Sequence, residues 1–273
     1  MTFLLMNAPS RGGTVSGGGG VSPFFTESLA GGVTHETGGF LWSYGSYWSI
    51  ATDPVLGAGN YAFKITYGPD ASDTNGLQGD GDLLFTLGRD CMDFACEWKV
   101  YLPANYAHRA NASTSENNKW LGLFRDTINN NDAWRGVLEA DQTGAAGSMT
   151  AVKALEANSG DLAVHYQDGT GVAMANTTGA LCTLGAWNTF RMRFRGSTSD
   201  GALNGVFTFW INGTRVGPGI STGDYWSWNR TAYPDGAKIN IGYFMGASNS
   251  GYTLATTFYL KDFAFYDTNP GWT

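Results

Sequence analysis

The sequence predicts an all-β domain, two antiparallel sheets packed as a sandwich and preceded by an extended Gly-rich arm. Three observations carry this expectation. The 273 residues include 16 Phe, 13 Tyr and 10 Trp, a heavy load of side chains that favour strands. Gly occurs 39 times, about twice its ordinary share, which supplies many tight turns. Long stretches with the 3.6-residue apolar period of a helix are hard to find, whereas period-2 alternation recurs. A sandwich of this length can be one unit, and 42% apolar residues suffice for its core.

Residues 1–32 stand apart. They contain SRGGTVSGGGGVSPFF, which hardly alternates and reads as a flexible arm unless something holds it. The expected division is an arm over 1–32 and one sandwich domain over 33–273. Within the domain, YAFKITY (61–67) puts Tyr61, Phe63, Ile65 and Tyr67 on one face, and DLLFTLG (82–88) is a short apolar run. In DFACEWKVYL (93–102), Cys96, Trp98, Val100 and Leu102 share one face, with Glu97, Lys99 and Tyr101 on the other. KWLGLFR (119–125) and WRGVLEAD (134–141) flank a turn-rich DTINNND, and DLAVHYQ (161–167) follows. TFRMRFRG (189–196) turns Phe190, Met192 and Phe194 inward and Arg191, Arg193 and Arg195 outward. Asn212-Gly213, between two apolar runs, is a strong hairpin signal. KINIGYFMG (238–246) and ATTFYLKDFAFYD (255–267) are the closing strands.

From WNTFRMRFR through WINGTRV and NIGYF to FYLKDFAFYD, the chain resembles the closing strands of concanavalin A-like lectin/glucanase domains. The resemblance covers about residues 185–267 and matches no particular enzyme family. It implies a lectin-like jelly roll whose final strand returns through the middle of a sheet. A fold of this kind does not by itself imply a function.

Charge and cysteine usage narrow the partners. Charged residues make up 14%, the net charge is −7, and there is no Lys/Arg-rich run to meet a phosphate backbone. Cys91, Cys96 and Cys182 are an odd number and read as buried free thiols, in keeping with synthesis in a reducing compartment. The first residues, MTFLLMNAPSRGG, lack the basic and apolar regions of a signal peptide, and no apolar run is long enough for a membrane helix.

Four constellations could carry chemistry. Glu139 and Asp141 point the same way on one strand, as the paired carboxylates of retaining glucanases do, but Gly144 stands where the superfamily pattern has a third carboxylate. The alternative role for this pair is as countercharges to the outward arginines. Arg191, Arg193 and Arg195, joined by Arg125 and Arg135, form a cationic stripe suited to uronate carboxylates. With it, His165 and Gln167 give a lyase set of His165, Gln167 and Arg193, although their order is the reverse of the alginate-lyase pattern. Trp42, Tyr44, Tyr225, Trp226 and Trp228 lie in aromatic clusters beside Ser, Gly and Asn, a composition that stacks on sugars. Asp73, Asn75, Asp80 and Asp82 in a Gly-rich loop are oxygen donors of the kind that hold Ca²⁺, or plain turn formers.

The absent signal, free thiols, low charge, Gly-rich arm and incomplete catalytic sets fit a virion-associated decoration or fibre protein. Such a protein is made in the cytoplasm and acts at the virion surface. It would join other subunits through its arm as a homo-oligomer or part of a larger assembly, and would grip cell-surface polysaccharide. The alternatives are a polysaccharide-acting enzyme, lyase ahead of hydrolase, and a stand-alone carbohydrate-binding module, either of them secreted.

Overall fold

The structure, a computed structural model, describes residues 21–68, 83–106, 118–124, 133–139, 151–157, 165–166, 182–195, 205–216, 225–227, 239–245 and 254–272. Their strands are β1 (Phe25–Glu27), β2 (Leu41–Tyr44), β3 (Trp48–Asp53), β4 (Gly57–Tyr67), β5 (Leu83–Cys91), β6 (Asp93–Leu102), β7 (Asn118–Phe124) and β8 (Ala133–Glu139). They continue as β9 (Ala151–Ala157), β10 (His165–Tyr166), β11 (Ala186–Arg195), β12 (Gly205–Ile211), β13 (Thr214–Val216), β14 (Tyr225–Ser227), β15 (Ile239–Phe244) and β16 (Thr256–Tyr266). The larger sheet runs β10-β14-β12-β11-β6-β16-β4-β3, with β1 added to β16 and β13 to β12. The smaller runs β2-β5-β15-β7-β8-β9. The fold is the expected all-β antiparallel sandwich, and β16 lies in the middle of the larger sheet between β6 and β4.

Alternation decides which side chains meet between the layers. On β6, Phe94, Cys96, Trp98, Val100 and Leu102 are buried, and on β11, Phe190, Met192 and Phe194. Trp98 of the larger sheet meets Phe244 of the smaller at a centroid distance of 5.0 Å, and Phe265 meets Phe85 at 5.3 Å. Each large side chain buried this way contributes about 1.5–3 kcal/mol. The layers also need one residue without a side chain. A Cβ at Gly242, on β15 between β5 and β7, would fall on the Phe85 ring and within 2.5 Å of the Gly122 carbonyl oxygen.

The hairpin at Asn212-Gly213 forms as the sequence predicts. Both residues take left-handed backbone angles, φ 51° and 81°, which match the twist of β12 and β13. Asn212 also ties the hairpin to β11: its backbone N–H donates to the Thr189 carbonyl at 2.8 Å, and its Oδ1 accepts from Thr189 N–H at 2.9 Å.

One expected boundary needs correction. The arm does not extend to residue 32, because β1 pairs with β16 and both Phe25 and Leu29 are buried in the core. Two apolar side chains with a layer to fill outweigh the flexible composition around them. Cys91 and Cys96 lie on β5 and β6, in different sheets, and both are buried free thiols, as is Cys182. LWSYGSYWSI forms β2, a turn and β3.

Candidate functional site

The face of the larger sheet turned away from the core collects the polar and half-buried side chains of β11, β6, β16, β4 and β3. Register aligns them in rows. Trp187, Tyr101 and Tyr259 are cross-strand neighbours on β11, β6 and β16. Their rings meet edge to face, with centroids 5.8 Å apart for Trp187 and Tyr101 and 5.9 Å for Tyr101 and Tyr259. The next row holds Thr189, Lys99 and Lys261, and the one after it Arg191 and Glu97. Arg193 and Tyr266 both flank Ala95 from opposite sides. Trp272 closes this end, 5.6 Å from Tyr266 and 5.7 Å from Trp210, with the Arg191 guanidinium 5.3 Å from its ring centroid.

Carboxylates hold the cations of this face in place. Arg191 donates to Glu97, Arg193 donates to Asp93 Oδ2 from Nη2 at 3.2 Å, and Lys99 Nζ lies 2.9 Å from Asp262 Oδ2. These pairs are partly exposed, and each is worth at most about 1 kcal/mol. The fourth pair is different. Lys261 Nζ reaches Asp53 Oδ2 at 2.5 Å, with the two side chains 8% and 0% exposed. Asp53 Oδ1 accepts three more hydrogen bonds, from Val55 N–H at 2.8 Å, Leu56 N–H at 2.9 Å and Trp187 Nε1 at 3.3 Å. Lys261 Nζ also stands 4.5 Å from the Trp187 ring centroid.

The electrostatics follow from these contacts. Burial alone would push the Asp53 carboxyl up, but the Lys261 hydrogen bond, the Leu56 and Val55 amides and the Lys261 charge together hold it below its ordinary value. The Tyr259 phenol is pushed up by burial and then by Tyr101. Tyr266 is pushed up by burial and then by Glu97, against the opposing charge of Arg191. Both phenols therefore stay protonated and can donate hydrogen bonds.

The β16 bulge creates this centre. Asp262 takes φ 54°, and the pairing of β16 with β6 shifts between Lys261 and Ala264. Strict alternation would send Lys261 and Asp262 to opposite faces; the bulge lets both pair with partners on the outer one.

The site expected from the sequence is only partly assembled here. Arg191 and Arg193 face outward as expected, but their countercharges are Glu97 and Asp93. Glu139 is on β8 in the other sheet, and Asp141 and Arg125 lie outside the described residues. Arg135 is also on β8, so it does not join the stripe. His165, on β10, is separated from β11 by β14 and β12, roughly 14 Å at ordinary strand spacing. Gln167 lies outside the described residues.

Trp42 is not a sugar-binding surface. It is 7% exposed and packs against Phe40, Phe63 and Phe263 in the core. Tyr44 is 38% exposed beside Phe63, on the smaller sheet. Tyr225 and Trp226 fall on β14 of the larger sheet, with side chains outside the described part, as is all of Trp228. Asp73, Asn75, Asp80 and Asp82, and with them the Ca²⁺ expectation, lie outside the described residues. So does most of the arm, residues 1–20, on which subunit contacts were expected to rest. Among the described residues, no helix is long and apolar enough to cross a membrane.

Sequence reasoning missed Asp53, Trp187, Tyr259 and Lys261. One signal was present: the apolar period of FYLKDFAFYD slips at Lys261-Asp262, which marks the bulge.

No protein-family model matches the sequence, and no curated protein sequence does. Among solved structures, the chain is similar to the alginate lyase vAL-1 from Chlorella virus, at 12% identity and a TM-score of 0.57, over 90% of this chain and 99% of that one. It is also similar to the alginate lyase Aly36B, at 13% identity and a TM-score of 0.53, over 83% of this chain and 86% of that one. What this chain shares with both is the β-sandwich fold.

Proposed function

We propose that the chain binds an acidic polysaccharide along the outer face of the larger sheet. The observation that carries this reading is the aromatic row Trp187–Tyr101–Tyr259 lying beside a belt of cations. Aromatic faces stack on sugar rings, and guanidinium and ammonium groups meet uronate carboxylates. The cations Lys64, Lys99, Lys261, Arg191, Arg193 and Arg195 outnumber the carboxylates Asp53, Asp93, Glu97 and Asp262 there, although the chain as a whole is acidic. A sandwich shared with alginate lyases supports the scaffold but not the ligand, and the central position of β16 supports the concanavalin A-like grouping.

The test is affinity electrophoresis of the full chain in gels containing polyuronate or neutral dextran. Retardation by polyuronate that weakens with added salt is the expected result. Equal mobility in both gels contradicts it.

A second reading is elimination from the bound uronate. What favours it is the placement of Arg193 and Tyr266 on either side of Ala95. The cation can neutralise a uronate carboxylate, the Glu97 carboxylate in the adjoining row can take the proton from the carbon beside it, and a phenol kept protonated by burial can donate its proton to the glycosidic oxygen that departs as the double bond forms. Growth of the ultraviolet absorbance of an unsaturated uronate supports elimination, and a flat trace leaves binding alone.

A further inference from the structure

A gap in the larger sheet forms a pocket beside this face. Along one side of β16 the neighbouring strand changes. β4 pairs with Thr256–Leu260, and β1 pairs with Phe263–Phe265. Lys261 and Asp262, between them, have no ladder partner on that side among the described strands. The space left is a pocket of about 300 Å³, at the small end of ligand sites, and its lining includes Leu29, Leu56, Asn60, Tyr61, Lys261 and Asp262.

The backbone around the pocket is bent into rarely used conformations. Of the described non-glycine residues with positive φ, Leu29 at 56° and Asp262 at 54° both line it, as does Gly59 at 86°. Such conformations cluster where a fold holds a ligand. The loop after β1 is fixed by the buried Glu27 carboxylate, which accepts from Leu29 N–H and His35 N–H, each at 2.6 Å. It lies close on the Tyr61 ring, where a Cβ at Gly32 would come within 3.1 Å.

The charges of the pocket cancel. Lys261 is paired with buried Asp53, and Asp262 with Lys99. A uronate carboxylate entering here would meet Asp262 with no surplus cation, whereas sugar hydroxyls suit this set. Asp262 accepts from them, Lys261 and Asn60 donate to them, and Tyr61, Leu29 and Leu56 cover an apolar ring face. We infer that the pocket is a subsite for one uncharged hexose unit, so that the ligand is a heteropolysaccharide with neutral sugars beside its uronates. This rests on the binding reading above and narrows its substrate class.

The experiment is saturation-transfer NMR on the full chain with the methyl glycosides of glucose, galactose and mannose, and with methyl glucuronide. The expected result is transfer to at least one neutral glycoside and little to glucuronide. Leu56→Trp, at an exposed hairpin tip, should fill the mouth and weaken that signal about tenfold while leaving polyuronate retardation intact. Asp262→Asn, which keeps a residue tolerant of the left-handed conformation, should raise the glucuronide signal. No transfer to any neutral glycoside, a stronger signal from glucuronide in the unsubstituted chain, or a signal indifferent to Leu56→Trp overturns the inference. Loss of polyuronate retardation in the unsubstituted chain overturns instead the reading on which it rests.

Discussion

Lys261 and Asp53 form a buried ion pair across the larger sheet, Nζ to Oδ2 at 2.5 Å, between β16 and the end of β3. The Asp53 carboxylate also holds the Trp187 indole, so one residue fixes both a cation and a stacking ring of the site. Asp53→Asn leaves Lys261 buried without its countercharge. It is expected to destabilise the domain by about 3–5 kcal/mol, measured as a lowered urea midpoint.

Asp53 also sets a pH dependence. Its carboxyl is held below its ordinary value of 3.8 in the folded chain, so the stability it contributes is fully present above that value. This contribution is lost as the pH falls through the lower, folded value. Melting temperature followed from neutral pH down through the acid range should fall below about pH 4, and Asp53→Asn should flatten that part of the curve.

The Trp187 ring and its N–H can be separated. Trp187→Phe keeps an aromatic face but loses the bond to Asp53, and is expected to cost about 1 kcal/mol of stability with polyuronate binding largely kept. Trp187→Ala removes the face itself and should weaken binding severalfold, by about 1 kcal/mol in calorimetric titration.

The thiols offer a check on the core. Burial pushes Cys91 and Cys182 up to about 12, and Cys96 well above its ordinary value. Thiolate is the reactive form. The native chain is therefore expected to resist a maleimide at neutral pH, and all 3 cysteines should react once it is unfolded.

How much of this was legible beforehand follows from the range of each interaction. The period of β6 and β11 assigned core and outer faces correctly, because alternation is local. Asn212-Gly213 announced its hairpin for the same reason. The site was harder to read, because cross-strand register makes it. Trp187, Tyr101 and Tyr259 are far apart in sequence, and only the β11-β6-β16 order aligns them. Trp42 misled because Ser43 and Tyr44 beside it share the composition of a sugar-binding cluster, whereas β2 turns its ring into the core. The arginine countercharges were sought in Glu139 and Asp141, but the partners lie on adjacent β6.

The most direct test of polysaccharide binding on this sheet face is the dissociation constant for a polyuronate oligosaccharide, measured by calorimetry on the full chain and on a Lys64→Glu, Arg191→Ala variant. Both residues are on the outer face, and Lys64 has no carboxylate partner among the described residues. Binding by the unsubstituted chain that weakens at least about tenfold in the variant, with an unchanged melting curve, places the ligand on this face. Equal affinity in the two chains, or none in either, contradicts it.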